Sequence, residues 1–498
     1  MRQENSAILA FDQGTTSSRA ILFSADGSML GVSQREFEQI FPADGLVEHR
    51  ASDIWQSVLQ VGREMVAKAA SLGLTITAAG IANQRETTLI WDRKTGDVVY
   101  NAIVWQDRRT STHCKTLSDE GHLQNVRQAT GLVLDPYFSA TKIAWILDNV
   151  DGLRPRAERG ELCFGTVDSF LIWQMTGGVR HVTDATNASR TSLYNIRNGM
   201  WDADLCHLFD VPMAMLAEVQ DSAGYFGDCR ADVFGQAFPI CGVAGDQHAA
   251  TIGQACFTKG SIKSTYGTGC FMLANTAQDC LLSENNLLST IAYQINGQVT
   301  YGLEGSIFIS GAVIQWLRDG IGLLSTAAQS EALAASLCDN DGVYMVPALT
   351  GLGAPHWSPS ARGAIYGLTR DTGPAHFARA ALESVAFQTY DLIEAMRADG
   401  IAPSGLKVDG GMADNNFLMQ FMADILELQV DRPALTETTA LGAAILAMLG
   451  SGQTTTLEQT ASLWKLETSF QPHLDRSKRE TLLAGWQTAI KRTLLDCC

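Results

Sequence analysis

The sequence predicts an α/β protein of two comparable halves, on three observations. The chain opens as a meander of short apolar strands with a Gly/Thr/Ser turn. A second strand, Gly/Thr turn, strand unit follows the midpoint, and in both halves the meander gives way to alternating helices and strands. At 498 residues the chain is too long for a single small module, and 46% apolar with 18% charged residues is an ordinary globular composition.

Ala7 to Phe11 is an apolar run of strand length, followed by Asp12 at the strand tip, the polar turn Gln13 to Ser18 and a second run from Arg19 to Phe23. Asp26-Gly27 marks the next turn and Gly31-Val32-Ser33 a third strand, so the opening is neither a Rossmann nor a Walker unit. A helix capped by Ser52 follows, with Ile54, Val58, Val61 and Met65 along one face. Strand Ala78 to Ala82 runs into Asn83-Gln84-Arg85-Glu86. The pattern recurs with Ile240 to Asp246, an apolar strand ending on glycine and aspartate, and with Ser261 to Leu273, strand, Gly/Thr turn and strand. No Pro/Ser/Gly-rich linker separates the halves, which predicts domains of 1–254 and 255–498 sharing an extensive interface. Leu406 to Gly411 with Phe417 to Leu426 reads as strand, glycine turn, helix, and the tail from Leu457 as closing helices.

A net charge of −17 has the wrong sign for a nucleic-acid binder, so any phosphate site must be local. Met1 to Asn5 leads straight into a strand without a secretion signal, and the longest low-charge stretch, Thr438 to Gly450, is too short to span a membrane. Eleven cysteines, Cys497 and Cys498 included, lack a CxxC pair and fit reduced thiols in a cytoplasmic protein. The nine histidines show no metal-ligand spacing, and Asn187-Ala188-Ser189 is read as a chance sequon.

A Gly/Thr/Ser turn between strands aims backbone N–H groups and hydroxyls at one point, which can cradle a phosphate, and Asp12 beside it could help hold Mg²⁺. With Gly267-Thr268-Gly269 and Gly410-Gly411, three such loops in two matched halves suggest a nucleotide clamped between them. Two other patterns fail. Ser139-Ala140-Thr141-Lys142 and Lys94-Thr95-Gly96 stand in the wrong order for a β-lactamase, and neither G-x-G triplet has the final glycine of a dinucleotide fingerprint. Cys270 has no neighbouring histidine and reads as a packing residue.

These segments, with Asn83-Gln84-Arg85-Glu86-Thr87, Val104-Trp105-Gln106-Asp107-Arg108-Arg109, Tyr137-Phe138-Ser139-Ala140-Thr141-Lys142, Gly245-Asp246-Gln247-His248 and Asp409-Gly410-Gly411, occur in the order found in carbohydrate kinases of the FGGY family, which the chain resembles from residue 6 to 450. The resemblance implies two actin-like (ribonuclease-H-like) domains around an ATP-binding cleft. It implies that Asp12, with Mg²⁺, and Thr15, Thr16, Ser17 and Arg19 meet the ATP phosphates from one half. Thr268, Gly311, Gln315, Gly411, Met412 and Asn416 would bind the nucleotide from the other. The substrate set it implies is Arg85, Glu86, Tyr137, Asp246 and Gln247 around a triol, with Trp105 and Phe271 against its carbon edge, which is similar to members acting on glycerol. A paired Arg and Glu would serve the hydroxyls at one end, a carboxylate and an amide at the other. The implied reaction is ATP-dependent phosphorylation of glycerol to sn-glycerol 3-phosphate, with Asp246 as general base. Similar enzymes form dimers and tetramers. The regulatory histidine of some members is replaced by Asp232-Val233-Phe234-Gly235, and Gly235 to Pro239 lacks the arginine of a phosphosugar site. Two alternatives stand: a kinase of another short polyol or ketose, and an actin- or chaperone-like ATPase switch.

Overall fold

The computed structural model of the chain describes residues 5–495. It contains two mixed sheets of the same design. In the first, six strands lie in the order 223–229, 238–245, 75–83, 6–13, 17–23, 29–36. Strand Ser6–Gln13 pairs antiparallel with Ser17–Phe23 and parallel with Thr75–Asn83, and Phe238–Gly245 adds parallel to the latter. The second sheet repeats this: Ile262–Tyr266 pairs antiparallel with Cys270–Ala277 and parallel with Leu406–Asp409, to which Val430–Pro433 adds in parallel. One extra strand, Leu288–Ile295, extends its far edge.

The meander forms because its side chains alternate. Leu9, Phe11 and Leu22 face a core with Ile54, Val58, Val61 and Met65 of helix Ala51–Ser71, while Ile8, Ala10 and Ile21 face the opposite side. That opposite side is covered by helix Thr438–Gly450, which belongs to the second half by sequence. It crosses helix Asp246–Gly253 at backbone contact, where a Cβ on Gly442 would stand 1.8 Å from the Ala249 oxygen and one on Gly253 1.9 Å from the Thr438 oxygen.

Four elements depart from the sequence reading. Helix Ala51–Ser71 starts one residue before Ser52 and has no side-chain cap, so Ser52 is a first-turn residue whose hydroxyl bonds Asp53. The first turn is tighter than Gln13 to Ser18, because Gln13, Ser17 and Ser18 join Asp12 as strand residues. The Ile240 to Gly245 run completes the first sheet instead of opening a second one, since its parallel partner is Thr75–Asn83. The tail holds a strand, Leu466–Phe470, before its last helix. Nine cysteines are unpaired among the described residues, Cys497 and Cys498 lie outside them, and Asn187 is buried. Among the described residues no helix is long and apolar enough to cross a membrane, and no metal-ligand cluster of three or more His, Cys, Asp or Glu occurs.

The first half buries an acidic pair whose titration is measurable. Asp168 accepts hydrogen bonds from Thr166 (2.5 Å) and Thr183 (2.7 Å), and burial beside Asp184 pushes its carboxyl up to about 7. The folded state therefore holds this proton more tightly than the unfolded chain does, so the group's contribution to stability falls as pH rises from about 4 through 7. Asp168→Asn should raise the unfolding midpoint at pH 8 by several degrees and change it little at pH 4, measured by thermal melts across that range.

Candidate active site

The tips of the two central hairpins and the ends of the strands beside them converge on one cleft. Asp12 and Arg19 face each other across the first hairpin, whose tip is closed by a Gly14 N–H to Ser17 oxygen bond of 2.9 Å. Thr15 is half-buried and its hydroxyl accepts from the Trp105 indole N–H at 2.9 Å, tying the loop to the aromatic wall. Thr16 is exposed, and the Ser17 hydroxyl accepts from Gln34 at 2.9 Å. Arg19 is ion-paired with Glu437, the residue preceding the Thr438–Gly450 helix, and also donates to Gln34 at 3.0 Å. The Asp12 carboxylate accepts no hydrogen bond among the described residues. Burial pushes it up to about 7 against the pull of Arg19, with Asp246 and Glu437 adding repulsion.

The opposing loops interlock through backbone. Gly311 N–H donates to the Gly267 oxygen at 2.9 Å, where a Cβ would come within 2.6 Å, and Ser310 and Ala312 N–H groups donate to the Thr268 oxygen at 2.9 and 3.0 Å. Gly410, at φ 86°, lets the next turn fold onto the Tyr266 carbonyl, to which Met412 N–H donates at 3.2 Å. Thr268, Gly311, Gly411 and Met412 thus form one rim. Gln315 ends helix Gly311–Gln315 and Asn416 begins helix Asn416–Leu426; both are exposed, and Asn416 accepts from Arg432 at 3.0 Å.

The residues expected around a triol meet at the strand ends. Asp246 opens helix Asp246–Gly253, with 29% of its side chain exposed and an Arg85 Nε contact at 3.1 Å. Gly245 makes room for this, since a Cβ there would lie 2.6 Å from the Arg85 stem. Arg85 donates to the Tyr137 hydroxyl at 3.3 Å, and burial pushes that phenol well above its usual range. Trp105 meets Tyr137 and Phe271 edge-on at 5.6 and 5.8 Å, giving three apolar walls. Gln247 is buried and accepts from Lys263, whose ammonium burial pushes down.

One pairing differs from the sequence reading. Arg85 and Glu86 form no ion pair with each other. Arg85 goes to Glu304 and Asp246, and Glu86 goes to Arg190 at 2.6 Å. The Glu86 backbone lies in the left-handed region at φ 59°, and its carbonyl is held by Ser139 (3.0 Å) and Lys142 (3.4 Å). Burial outweighs the pull of Arg85 and Arg190 and pushes the Glu86 carboxyl up. Arg190, Glu304, Lys263 and Lys142 were all missed. A charged residue inside the apolar runs around Leu303-Glu304 and Ile262-Lys263 was the available signal, and Lys142 stood in view at the end of the Tyr137 to Lys142 segment. Cys270 is buried, with its thiol pushed up to about 12 by burial, as a packing residue requires.

The chain is similar to known proteins over nearly its whole length. The FGGY family of carbohydrate kinases matches with its N-terminal domain over residues 7–253 and its C-terminal domain over 262–451. A glycerol kinase of Rhodospirillum centenum is 57% identical, covering 98% of both chains, and glycerol kinase 1 of Pseudomonas aeruginosa is 56% identical, covering 97% of this chain and 98% of its own. The structure of Plasmodium falciparum glycerol kinase with ADP superposes with a TM-score of 0.93 at 34% identity over 98% of each chain. Gluconate kinase of Lactobacillus acidophilus, 20% identical over 99% of this chain and 98% of its own, shares the fold at a TM-score of 0.88. Duplicated sheets, interlocked glycine loops and these full-length matches have one explanation: the chain is a kinase and belongs to the FGGY family of carbohydrate kinases.

Proposed function

We propose that the protein transfers the γ-phosphoryl group of ATP to glycerol, giving sn-glycerol 3-phosphate and ADP. The observation that carries this reading is Asp246, a partly exposed carboxylate held by Arg85 beside an aromatic-walled pocket between two phosphate-type loops. A terminal glycerol hydroxyl attacks the γ-phosphorus in line, the bond to the β–γ bridging oxygen breaks, and Asp246 takes the hydroxyl proton. Arg85, Glu86, Tyr137 and Gln247 supply donors and acceptors for the hydroxyls, and Trp105 and Phe271 cover the carbon edge and exclude water. Thr15, Thr16, Ser17 and Arg19 take the phosphates from one side, and Thr268, Gly311, Gln315, Gly411, Met412 and Asn416 take the nucleotide from the other.

Asp12 fits a magnesium site. It is a carboxyl oxygen ligand at the phosphate loop that accepts no hydrogen bond among the described residues, and Mg²⁺ is usually held by one or two carboxylates plus substrate phosphates. When bound, the ion neutralises charge on the phosphate oxygens. The unpaired cysteines support a reducing, cytosolic setting. The test is ADP release from Mg·ATP with and without glycerol, with the phosphorylated product followed in parallel. ADP formed equally without glycerol would replace this reading by an ATPase switch, and ADP formed only with another polyol would move the substrate. Chelation with EDTA should abolish turnover, and Asp12→Ala should raise the Mg²⁺ concentration needed for half activity more than about tenfold while leaving the glycerol KM within a few-fold.

A further inference from the structure

Behind the candidate triol site lies an open chain of four buried charges, Arg85, Glu304, Arg190 and Glu86. The Glu304 carboxylate accepts from Arg85 Nη1 with one oxygen and from Arg190 Nη2 at 2.7 Å with the other, and Arg190 Nε donates to Glu86 at 2.6 Å. The side chains of Glu304 and Arg190 are 0% exposed, and they reach the candidate triol site through Arg85 and Glu86. Two guanidiniums and two carboxylates balance, which is the condition for keeping such charges out of water. Of the two end members, Arg85 contacts Asp246 and Tyr137 of the candidate triol site. Glu304 stands on strand Gln298–Ile307 of the second sheet, while its two partners, Arg85 and Arg190, and Glu86 beyond them belong to the first half.

We infer that Glu304 and Arg190 are positioning residues for the triol. Glu304 reaches across from the second domain to fix the plane of the Arg85 guanidinium, and Arg190 fixes Glu86. This deepens the proposed function and rests on it. The donors of Arg85 are divided: Nε meets Asp246, Nη1 meets Glu304 and Nη2 meets Tyr137. Without the Glu304 anchor the guanidinium can turn about its stem, and its remaining donors lose their aim at the substrate hydroxyls. Burial alone would push the Glu304 carboxyl up, but Arg190 and Arg85 pull it below its ordinary value. Arg190 is further braced by the Tyr137 and Phe138 rings at 5.6 and 5.4 Å from its guanidinium carbon.

The test is steady-state kinetics of full-length Glu304→Gln, with Arg190→Lys beside it. Glu304→Gln should raise the glycerol KM about 30- to 100-fold and leave the ATP KM within about twofold, because lost ground-state positioning appears in KM for the misplaced substrate alone. Glu304→Asp, which keeps the charge at shorter reach, should recover part of the loss and carries the test if the Gln variant fails to fold. In an Arg85→Ala background Glu304→Gln should cost less than a further threefold, since it acts through that guanidinium. A glycerol KM within twofold of wild type overturns the inference, as does an equal rise in both KM values or a full multiplicative loss with Arg85→Ala. Wild type is assayed first: if it releases no glycerol-dependent ADP, the proposed function falls and this inference with it, whereas an active wild type with an unaffected Glu304→Gln removes the positioning role alone.

Discussion

Asp246→Asn should lower kcat about 10²- to 10⁴-fold with the ATP KM nearly unchanged, the range that loss of a general base produces. The amide keeps the size and the polar oxygen of the carboxylate but cannot accept the hydroxyl proton. The substitution separates two roles. Asp246 stands at the first position of helix Asp246–Gly253, and its Oδ1 accepts from the Gln247 N–H at 2.7 Å. If its task were only to satisfy that helix end, asparagine would serve nearly as well and activity would stay within a few-fold. The measurement is glycerol-dependent ADP release together with a thermal melt. A cold enzyme with an unchanged melt assigns the proton transfer to Asp246, and an active Asn variant removes that role.

Gly442→Ala should be the most destabilising small change in the interior, by on the order of 3 kcal/mol or more, seen as a drop of several degrees in the unfolding midpoint. The added methyl would meet backbone, with the Ala249 oxygen at 1.8 Å and its carbon at 2.5 Å, so no flexible side chain can swing away. Gly253→Ala meets the Thr438 oxygen at 1.9 Å on the other side of the same crossing. Once one methyl has forced the helices apart, the second costs less, so the double variant should lose less than the sum of the two. Gly224→Ala is the control: nothing lies within 4 Å of its Cβ, and the melt should move by less than about 0.5 kcal/mol equivalent.

The fold was legible where its signals are local. Apolar strands around a Gly/Thr turn announced both hairpins, and the spacing of Ile54, Val58, Val61 and Met65 announced the first long helix, because strand and helix periods lie within a few residues of sequence. The start of that helix was misplaced because Ser52 has the residue type of a cap while the backbone turns helical one residue earlier. The short strand Leu466–Phe470 went unseen because only pairing with Val430–Pro433 stabilises it. In the site, the residues standing on strand ends and turns were readable and their partners were not. Glu304 lies 219 residues from Arg85 and 114 from Arg190, and no local pattern encodes such a pairing. The expectation that Arg85 would pair with its neighbour Glu86 failed for the same reason, since chain adjacency says little about which side chains face each other.

The Thr438–Gly450 helix also sets the order in which the molecule can be completed. The face of the first sheet formed by Ile8, Ala10, Ile21, Ala78, Ala82 and Cys241 is sealed by a segment that leaves the ribosome about 200 residues after the last strand of that sheet. At about 5–20 residues per second, the nascent first half carries this apolar face uncovered for roughly 10 to 40 s. During that window it is a sticky half-product, and synthesis from the N-terminus does not let it settle before the second half arrives. The same helix that locks the cleft's two walls together makes the first half dependent on the second throughout its birth.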